Sequence, residues 1–315
     1  MGRPLRIEYP DAFYHITARG NERRNIFKSN KDRERFLGYL ESASERYKAI
    51  IHTYCLMDNH YHILLQTPAG NLSQIMHHIN GAYTNYFNVK RKRSGHLFQG
   101  RYKALLVDID EYAQELSRYI HLNPVKAGMV EKPEQYKWSS YQGYISVNKS
   151  SKWLFTDFIL SLFNKKTSVA KKQYRSFVES MVALEYESPL ENVFASTILG
   201  GRSFINQIRE EHLDRKKSDR DLPDLKQFNE MPDIEEITKQ ATKVLSGNAA
   251  LLKRVQIYLC HRYSGQKLKD IGLHFGIGVS GVSQASRRVA LQIKDDKELT
   301  KKIDKIISAL NLSTV

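Results

Sequence analysis

Short β-prone apolar runs alternate with longer stretches of helical period over the first half of the chain. Phe13–Arg19, Ile50–Met57 and Tyr61–Gln66 predict strands. Gly20-Asn21 stops the first, and the turn-like pair Asp58-Asn59 lies between the second and third. Pro68-Ala69-Gly70 closes the third, so the last two strands predict an antiparallel hairpin. Asp32–Lys48 carries Phe36, Leu37, Leu40 and Tyr47 at helical spacing, and Leu72–Val89 predicts a second, longer helix through Gly81. Leu97–Val107 reads as a further pair of short strands around Gln99-Gly100. Asp110–Ile120 reads as a helix that stops at Asn123-Pro124, because proline disfavours helical backbone in the residue before it. This order predicts an α/β sandwich with a mostly antiparallel sheet over residues 1–150.

The second half changes rhythm. From 151 to 224 the apolar runs Phe155–Phe163 and Tyr174–Tyr186 and the segment Ser203–His212 predict helices. The charge-dense stretch Asp214–Pro223 is the best linker candidate. From 225 to 315, Ala249–Tyr263, Lys267–Phe275 and Val279–Ile293 form a three-helix pattern, with breaks at Gly265 and at Gly276-Ile277-Gly278. The third of these helices carries Ser280, Ser283, Gln284, Ser286, Arg287 and Arg288. Such small polar and basic side chains suit a nucleic-acid groove and its phosphates, while an ordinary bundle with a polar face is the plainer reading.

Charge sharpens this outline. The 315 residues carry a formal net charge of +15. That excess calls for a polyanionic partner, without separating DNA from RNA or an acidic protein. Its distribution is uneven. Asn71–Val107 contains no aspartate or glutamate but holds Lys90, Arg91, Lys92, Arg93, Arg101 and Lys103, a candidate phosphate-binding surface. No apolar run is long enough for a membrane span, and the N-terminal residues lack the apolar stretch of a signal peptide. A cytoplasmic protein is expected. Cys55 and Cys260 form no CxxC pair and read as buried free thiols.

Two constellations carry chemistry. His60 and His62 stand two apart at the start of a strand, so both imidazoles share one face and can reach one metal or one phosphate. His-x-His is also common by chance, and two surface histidines are the simpler alternative. Tyr119 and Asn123 stand four apart in or near a helix and project to one side. A phenol can attack phosphorus and store the phosphodiester bond as phosphotyrosine, and a divalent cation can stabilise the developing charge. Equally, Tyr119 can pack in a core and Asn123 can end a helix. With 18 tyrosines present, composition does not choose among them, and Tyr102 and Tyr112 are rivals in the same domain.

The segments YHITARGNERRNIF (14–27), MDNHYHILL (57–65), GHLFQGRYKALLVD (95–108), RYIHLNPVKAGMV (118–130) and YKWSSYQGY (136–144) occur in one order. In that order the chain resembles the IS200-type single-tyrosine HUH transposases, and more closely the repetitive-extragenic-palindrome-associated tyrosine transposases. The resemblance implies a ferredoxin-like α/β core and a magnesium or manganese ion held by His60 and His62, with Asn123 completing coordination. It implies that Tyr119 is the nucleophile. The implied substrate is single-stranded DNA cut near a hairpin, leaving a 5′-phosphotyrosine and a free 3′-hydroxyl. Asp58 departs from the pattern, standing where relatives often have proline. It either reshapes the turn or brings an acidic group near the metal. Residues 267–289 resemble the helix-turn-helix of bacterial replication initiator proteins. That likeness makes Val279–Ala290 a recognition helix, with Ser283, Gln284, Arg287 and Arg288 as candidate contacts to duplex or hairpin-stem DNA. The loop at 276–278 departs from the initiator signature, so no target sequence carries over. The relatives' architecture implies a monomer, with a dimer as the alternative, and association with the nucleoid. A DNA-binding regulator on an inactive nuclease fold and an RNA-processing nuclease are the competing functions.

Overall fold

The computed structural model describes residues 7–146, 151–182, 188–194, 197–213, 232–245 and 248–310. The chain divides into two compact units, Pro4–Leu199 and Gly200–Val315.

The first unit begins β1 (Ala12–Arg19), α1 (Asn30–Tyr47), β2 (Ile50–Leu56), β3 (His60–Thr67), α2 (Leu72–Lys90) and β4 (Lys103–Val107). These four strands lie in the order β2-β3-β1-β4, every neighbouring pair antiparallel. A β-α-β-β-α-β chain in that arrangement is the ferredoxin-like fold. The expected hairpin is β2–β3, with Cys55 opposite His62 and Leu56 opposite Tyr61.

Strand alternation gives the sheet two different faces. On one, Tyr14, Ile16, Tyr61 and Ile63 are buried beneath α1 and α2. The Phe36 ring lies 4.8 Å from that of Tyr61 and 5.1 Å from that of Tyr83, so one aromatic of α1 joins sheet and α2. Ser29 caps α1 by accepting from the Asp32 amide, satisfying one donor that a helix start leaves open.

The opposite face carries His15, His62 and Leu64, and is covered by α3 (Ile109–Lys126), α4 (Tyr141–Ile145), α5 (Asp157–Ser161) and α6 (Thr167–Glu179). Ile159, Leu160, Ala170, Tyr174 and Val178 share one core with Leu116, Ile120 and Tyr141, so α5 and α6 are part of this first unit. His121 fastens α3 to its neighbours from inside that core. One ring nitrogen lies 2.6 Å from the Tyr174 hydroxyl and the other 2.7 Å from Ser140 Oγ. Two short strands, β5 (Val193–Phe194) and β6 (Ile198–Leu199), extend the sheet beyond β4, and β6 runs parallel to it.

Several element boundaries differ from expectation. Only Lys103–Val107 of the strand pair expected over Leu97–Val107 is a strand; the earlier part reduces to a single bridge between Phe98 and Gly20. The helix expected to stop at Asn123 continues to Lys126 with Pro124 inside it. Pro124 forgoes the bond that its own N–H would make to Ile120, and the helix still closes beyond it through the Ala127 and Gly128 amides, which donate to the Asn123 and Val125 carbonyls. Helix α6 starts at Thr167 rather than Tyr174, because Ala170, Tyr174 and Val178 bury one stripe while polar residues between them face outward. The linker candidate Asp214–Pro223 lies outside the described residues.

The second unit contains α7 (Arg202–Ile208), then α8 (Ile234–Val244), α9 (Ala249–Tyr263), α10 (Leu268–Phe275), α11 (Val279–Asp295) and α12 (Lys297–Ala309). The helix expected over Ser203–His212 is α7 followed by one wider turn at Arg209–Leu213. Ile237, Ala241, Val255, Leu259, Ile271, Val282, Val289, Ile303 and Ile306 make one core. Asp233, Asn248 and Asp296 cap α8, α9 and α12 by accepting amide hydrogens from the first turns. Between α10 and α11 the chain turns at Gly276, whose φ of 68° is left-handed and costs glycine nothing. Both cysteines are buried free thiols, as expected. Among the described residues, no helix is long and apolar enough to cross a membrane.

Candidate active site

The candidate residues meet where β3, β1 and α3 come together. In the β1–β3 ladder His60 lies opposite Arg19 and His62 opposite Thr17. Directly opposed residues share a face, so His15, Thr17, Arg19, His60 and His62 belong to one surface of the sheet. In the β1–β4 ladder Lys103 lies opposite Thr17 and joins them. The expectation that the two histidines share a strand face holds: their ring centroids are 5.1 Å apart and nearly perpendicular.

Each of the two imidazoles is already engaged at Nδ1. Nδ1 of His60 lies 2.6 Å from Oδ1 of Asn59. Nδ1 of His62 lies 3.0 Å from Nε2 of His15, and these two rings stack with centroids 5.2 Å apart. Burial holds all three rings in the neutral form. It lowers His15 to about 3 and His60 to about 4, with the nearby Arg19 charge also lowering His60 while Asp58 opposes. His62 falls well below its ordinary value through burial, then the adjoining His15, His60 and Arg19. Neutral imidazoles keep a lone pair for a ligand at physiological pH.

Helix α3 delivers Tyr119 to this surface. Its ring is edge-on to His62 with centroids 5.7 Å apart, and edge-on to His15 at 6.1 Å. Burial raises the phenol's pKa above its ordinary value, while hydrogen bonding with Ser188 and Asn123 opposes the rise. Nδ2 of Asn123 donates to the Tyr119 carbonyl at 2.8 Å, so the pair expected from the four-residue spacing is joined. Lys126, one further turn along, places its ammonium 5.4 Å from the Tyr119 ring centroid. Of the rival tyrosines, Tyr112 is buried within the hydrophobic core beside Leu116.

Asp58 shapes the turn, and its charge also reaches His60. Its carboxylate pairs with Arg33, and its carbonyl accepts from the amides of Ile26 and Phe27 at 2.9 and 3.0 Å. Arg33 itself is held over the rings of Phe27 and Trp138. The residue therefore ties the turn before His60 to α1. Close by, an added Cβ at Gly20 would stand 2.0 Å from the Arg24 carbonyl oxygen, so only glycine permits this chain path beside Asn59.

The basic cluster separates into two groups. Lys90 and Arg91 both pair with Asp32, each at 2.6 Å, and Tyr86 also donates to that carboxylate. Asp32 is fully buried, so these cations have a partner within the fold. Lys92, Arg93, Arg101 and Lys103 belong to or adjoin the exposed segment that follows α2. In the second unit, Gln284 and Arg288 are exposed one turn apart on α11, whereas Ser283 and Arg287 are half-buried. Ser286 turns inward instead, 2.8 Å from Nδ1 of His261.

Among the described residues, no group of three or more histidine, cysteine, aspartate or glutamate side chains forms a metal cage. The donors that the structure brings together are two neutral imidazoles with their Nδ1 atoms engaged, and imidazole nitrogen fits a divalent cation that keeps part of its water shell.

Residues 8–123 match the family model described as "Transposase IS200 like", a span that includes His60, His62, Tyr119 and Asn123. This N-terminal part of the chain is similar to the IS200-like transposases over the matched residues. Among solved structures, the REP-associated tyrosine transposase bound to a REP hairpin is similar at 15% identity with a TM-score of 0.41. That similarity covers 50% of this chain and 93% of the other. No curated protein matches the chain.

Proposed function

We propose that the first unit cuts and rejoins single-stranded DNA at hairpin-associated sites through a covalent 5′-phosphotyrosine at Tyr119. The observation that carries this reading is the Tyr119 ring standing edge-on to His62, 5.7 Å away, within the span similar to the IS200-like transposases. An ordinary phenol with a pKa near 10 is ionised in about one molecule in a thousand at pH 7. Burial lowers that fraction at Tyr119, so the attack requires a nearby charge-stabilising group.

His60, His62 and Asn123 would hold that group, a magnesium or manganese ion. When bound, the ion would polarise the scissile phosphate and stabilise the charge developing on its oxygens. Asn59 and His15 fix the ligands from behind. A proton on Nδ1 of each catalytic histidine is donated to Asn59 Oδ1 or His15 Nε2, which turns both Nε2 lone pairs outward. Tyr119 Oη attacks phosphorus, the bond to the 3′-oxygen breaks, and a free 3′-hydroxyl leaves. Reversal with a second 3′-hydroxyl rejoins the strand. Lys92, Arg93, Arg101 and Lys103 then supply contacts to the DNA backbone.

The helices α10 and α11 support a second DNA contact, to duplex or a hairpin stem, through Gln284 and Arg288, with Ser283 and Arg287 beside them. The test is cleavage of single strands taken from the repeats flanking the gene, in both polarities, with magnesium or manganese. The wild type should leave a protein–DNA adduct that survives denaturation. His60→Ala, His62→Ala and Tyr119→Phe should each abolish it, and Tyr119→Phe should still bind DNA. Hairpin binding without any adduct from the wild type, across these substrates, would instead identify an inactive regulator.

A further inference from the structure

The end of β1 holds a cation that the proposed chemistry has not used. Arg19 is the last residue of the strand and is exposed. It lies opposite His60 in the ladder, on the sheet face that carries both catalytic histidines. Its backbone is fixed from both sides. The Gln99 amide donates to the Arg19 carbonyl at 2.8 Å, and the Gly20 amide donates to the Asn59 carbonyl at 2.8 Å.

Some arginines of this unit are matched to carboxylates, while others, such as Arg35, Arg46 and Arg101, have no carboxylate partner among the described residues. Arg33 pairs with Asp58, Arg91 with Asp32, Arg118 with Glu115, and Arg175 with Glu134 and Glu179. Among the described residues, Arg19 has no such partner.

A cation without a carboxylate partner, on the same sheet face as two nitrogen ligands, is a poor neighbour for a divalent metal. Like charges a few ångströms apart repel, more strongly where the site excludes water. The arrangement becomes favourable when an anion lies between them. A phosphodiester supplies that anion, and a guanidinium can meet two of its oxygens with parallel N–H donors.

We propose that Arg19 binds the non-bridging oxygens of the scissile phosphate and stabilises the charge they gain as Tyr119 attacks. This rests on the assignment of Tyr119 as nucleophile. The proposed contact acts on the substrate, and metal ligation stays with His60, His62 and Asn123.

The experiment uses the full chain with Arg19→Ala, Arg19→Gln and Arg19→Lys. Three quantities are read: the single-turnover rate of adduct formation, affinity for an uncleavable DNA strand, and Mn2+ affinity without DNA by electron paramagnetic resonance. Removing a donor that serves the transition state should slow Arg19→Ala by about 100-fold or more. Strand affinity should fall far less than the rate. Mn2+ affinity should be unchanged or tighter, since a repelling charge has gone. Arg19→Lys should recover part of the rate, because it restores charge without the two-pronged geometry. Should Arg19→Ala not fold, Arg19→Gln carries the same comparison. Rates within about three-fold of a competent wild type would overturn the proposal, as would a loss of Mn2+ binding that accounts for the slower rate. Absence of an adduct from the wild type itself would overturn the nucleophile assignment and this proposal with it.

Discussion

His15 and His62 face each other across adjacent strands, with Nε2 of one 3.0 Å from Nδ1 of the other. The two rings are stacked within 9° of parallel. A neutral imidazole has one donor and one acceptor nitrogen, and this contact occupies Nδ1 of His62, so Nε2 is the nitrogen that faces away from His15. The other nitrogen of His15, Nδ1, is buried and has no hydrogen-bond partner among the described residues. Among these residues, His15 bonds only towards the proposed metal ligand.

Replacing His15 with phenylalanine keeps a ring in the stack and removes the hydrogen bond. Partners behind metal-binding histidines are typically worth 10–100-fold in affinity. His15→Phe should therefore weaken Mn2+ binding by about 10-fold or more while leaving the thermal unfolding midpoint near that of the wild type. Titration followed by electron paramagnetic resonance reads the affinity directly. Unchanged Mn2+ affinity in a folded His15→Phe protein would remove His15 from the site.

The Asp32 cluster makes a stability prediction with a definite pH sign. Burial opposes ionisation of Asp32, but hydrogen bonds from Lys90, the Lys28 amide, Arg91 and Ser29 outweigh it and hold the carboxyl at about 2, below its ordinary 3.8. A depressed carboxylate stabilises the fold above its unfolded pKa and loses that contribution as pH falls through its folded one. Here the contribution, about 2 kcal/mol, is present above pH 4 and disappears towards pH 2. Asp32→Asn should lower unfolding free energy by about that amount at pH 6. Urea unfolding at several pH values should show the gap between the two proteins closing between pH 4 and 2. A constant gap across that range would contradict the assignment.

These examples show what the chain alone disclosed. The strands β1 to β3 and helices α1 and α2 were legible because each buries one face, and burial imposes a period on apolar residues. His60 and His62 were legible as a pair for the same reason. Lys90 and Arg91 read as a free basic surface because their partner, Asp32, is brought to them only by the packing of α1 against α2. Ser286 sits among the small polar residues of α11, and its partner His261 is likewise brought to it only by packing against another helix. His15, Thr17 and Arg19 left a faint signal, polar residues at every second position of an otherwise apolar strand, which by itself does not distinguish a site from a solvated edge. Strands β5 and β6, two residues each, are too short to impose any period.

The C-terminal unit offers a separate test. Arg288 is exposed on α11 while Val282 and Val289 of the same helix are buried. If Arg288 contacts a phosphate, Arg288→Ala should weaken duplex binding and reduce the dependence of log affinity on log salt by about one. Ser286→Ala, by contrast, should act through the core contact with His261, lowering stability by about 1 kcal/mol and leaving the salt dependence unchanged. Fluorescence anisotropy over a range of ionic strength separates the two. Equal salt dependence in wild type and Arg288→Ala would exclude the phosphate contact.

The central claim concerns the atom that becomes bonded to DNA, and peptide mapping of the covalent adduct tests it most directly. The full chain is incubated with Mn2+ and single strands from the flanking repeats, denatured, digested, and the DNA-bearing peptide sequenced by mass spectrometry. The account predicts that this peptide contains Tyr119, with the phosphate on its phenolic oxygen. A DNA-bearing peptide containing Tyr102 or Tyr112, with Tyr119 unmodified, would contradict it.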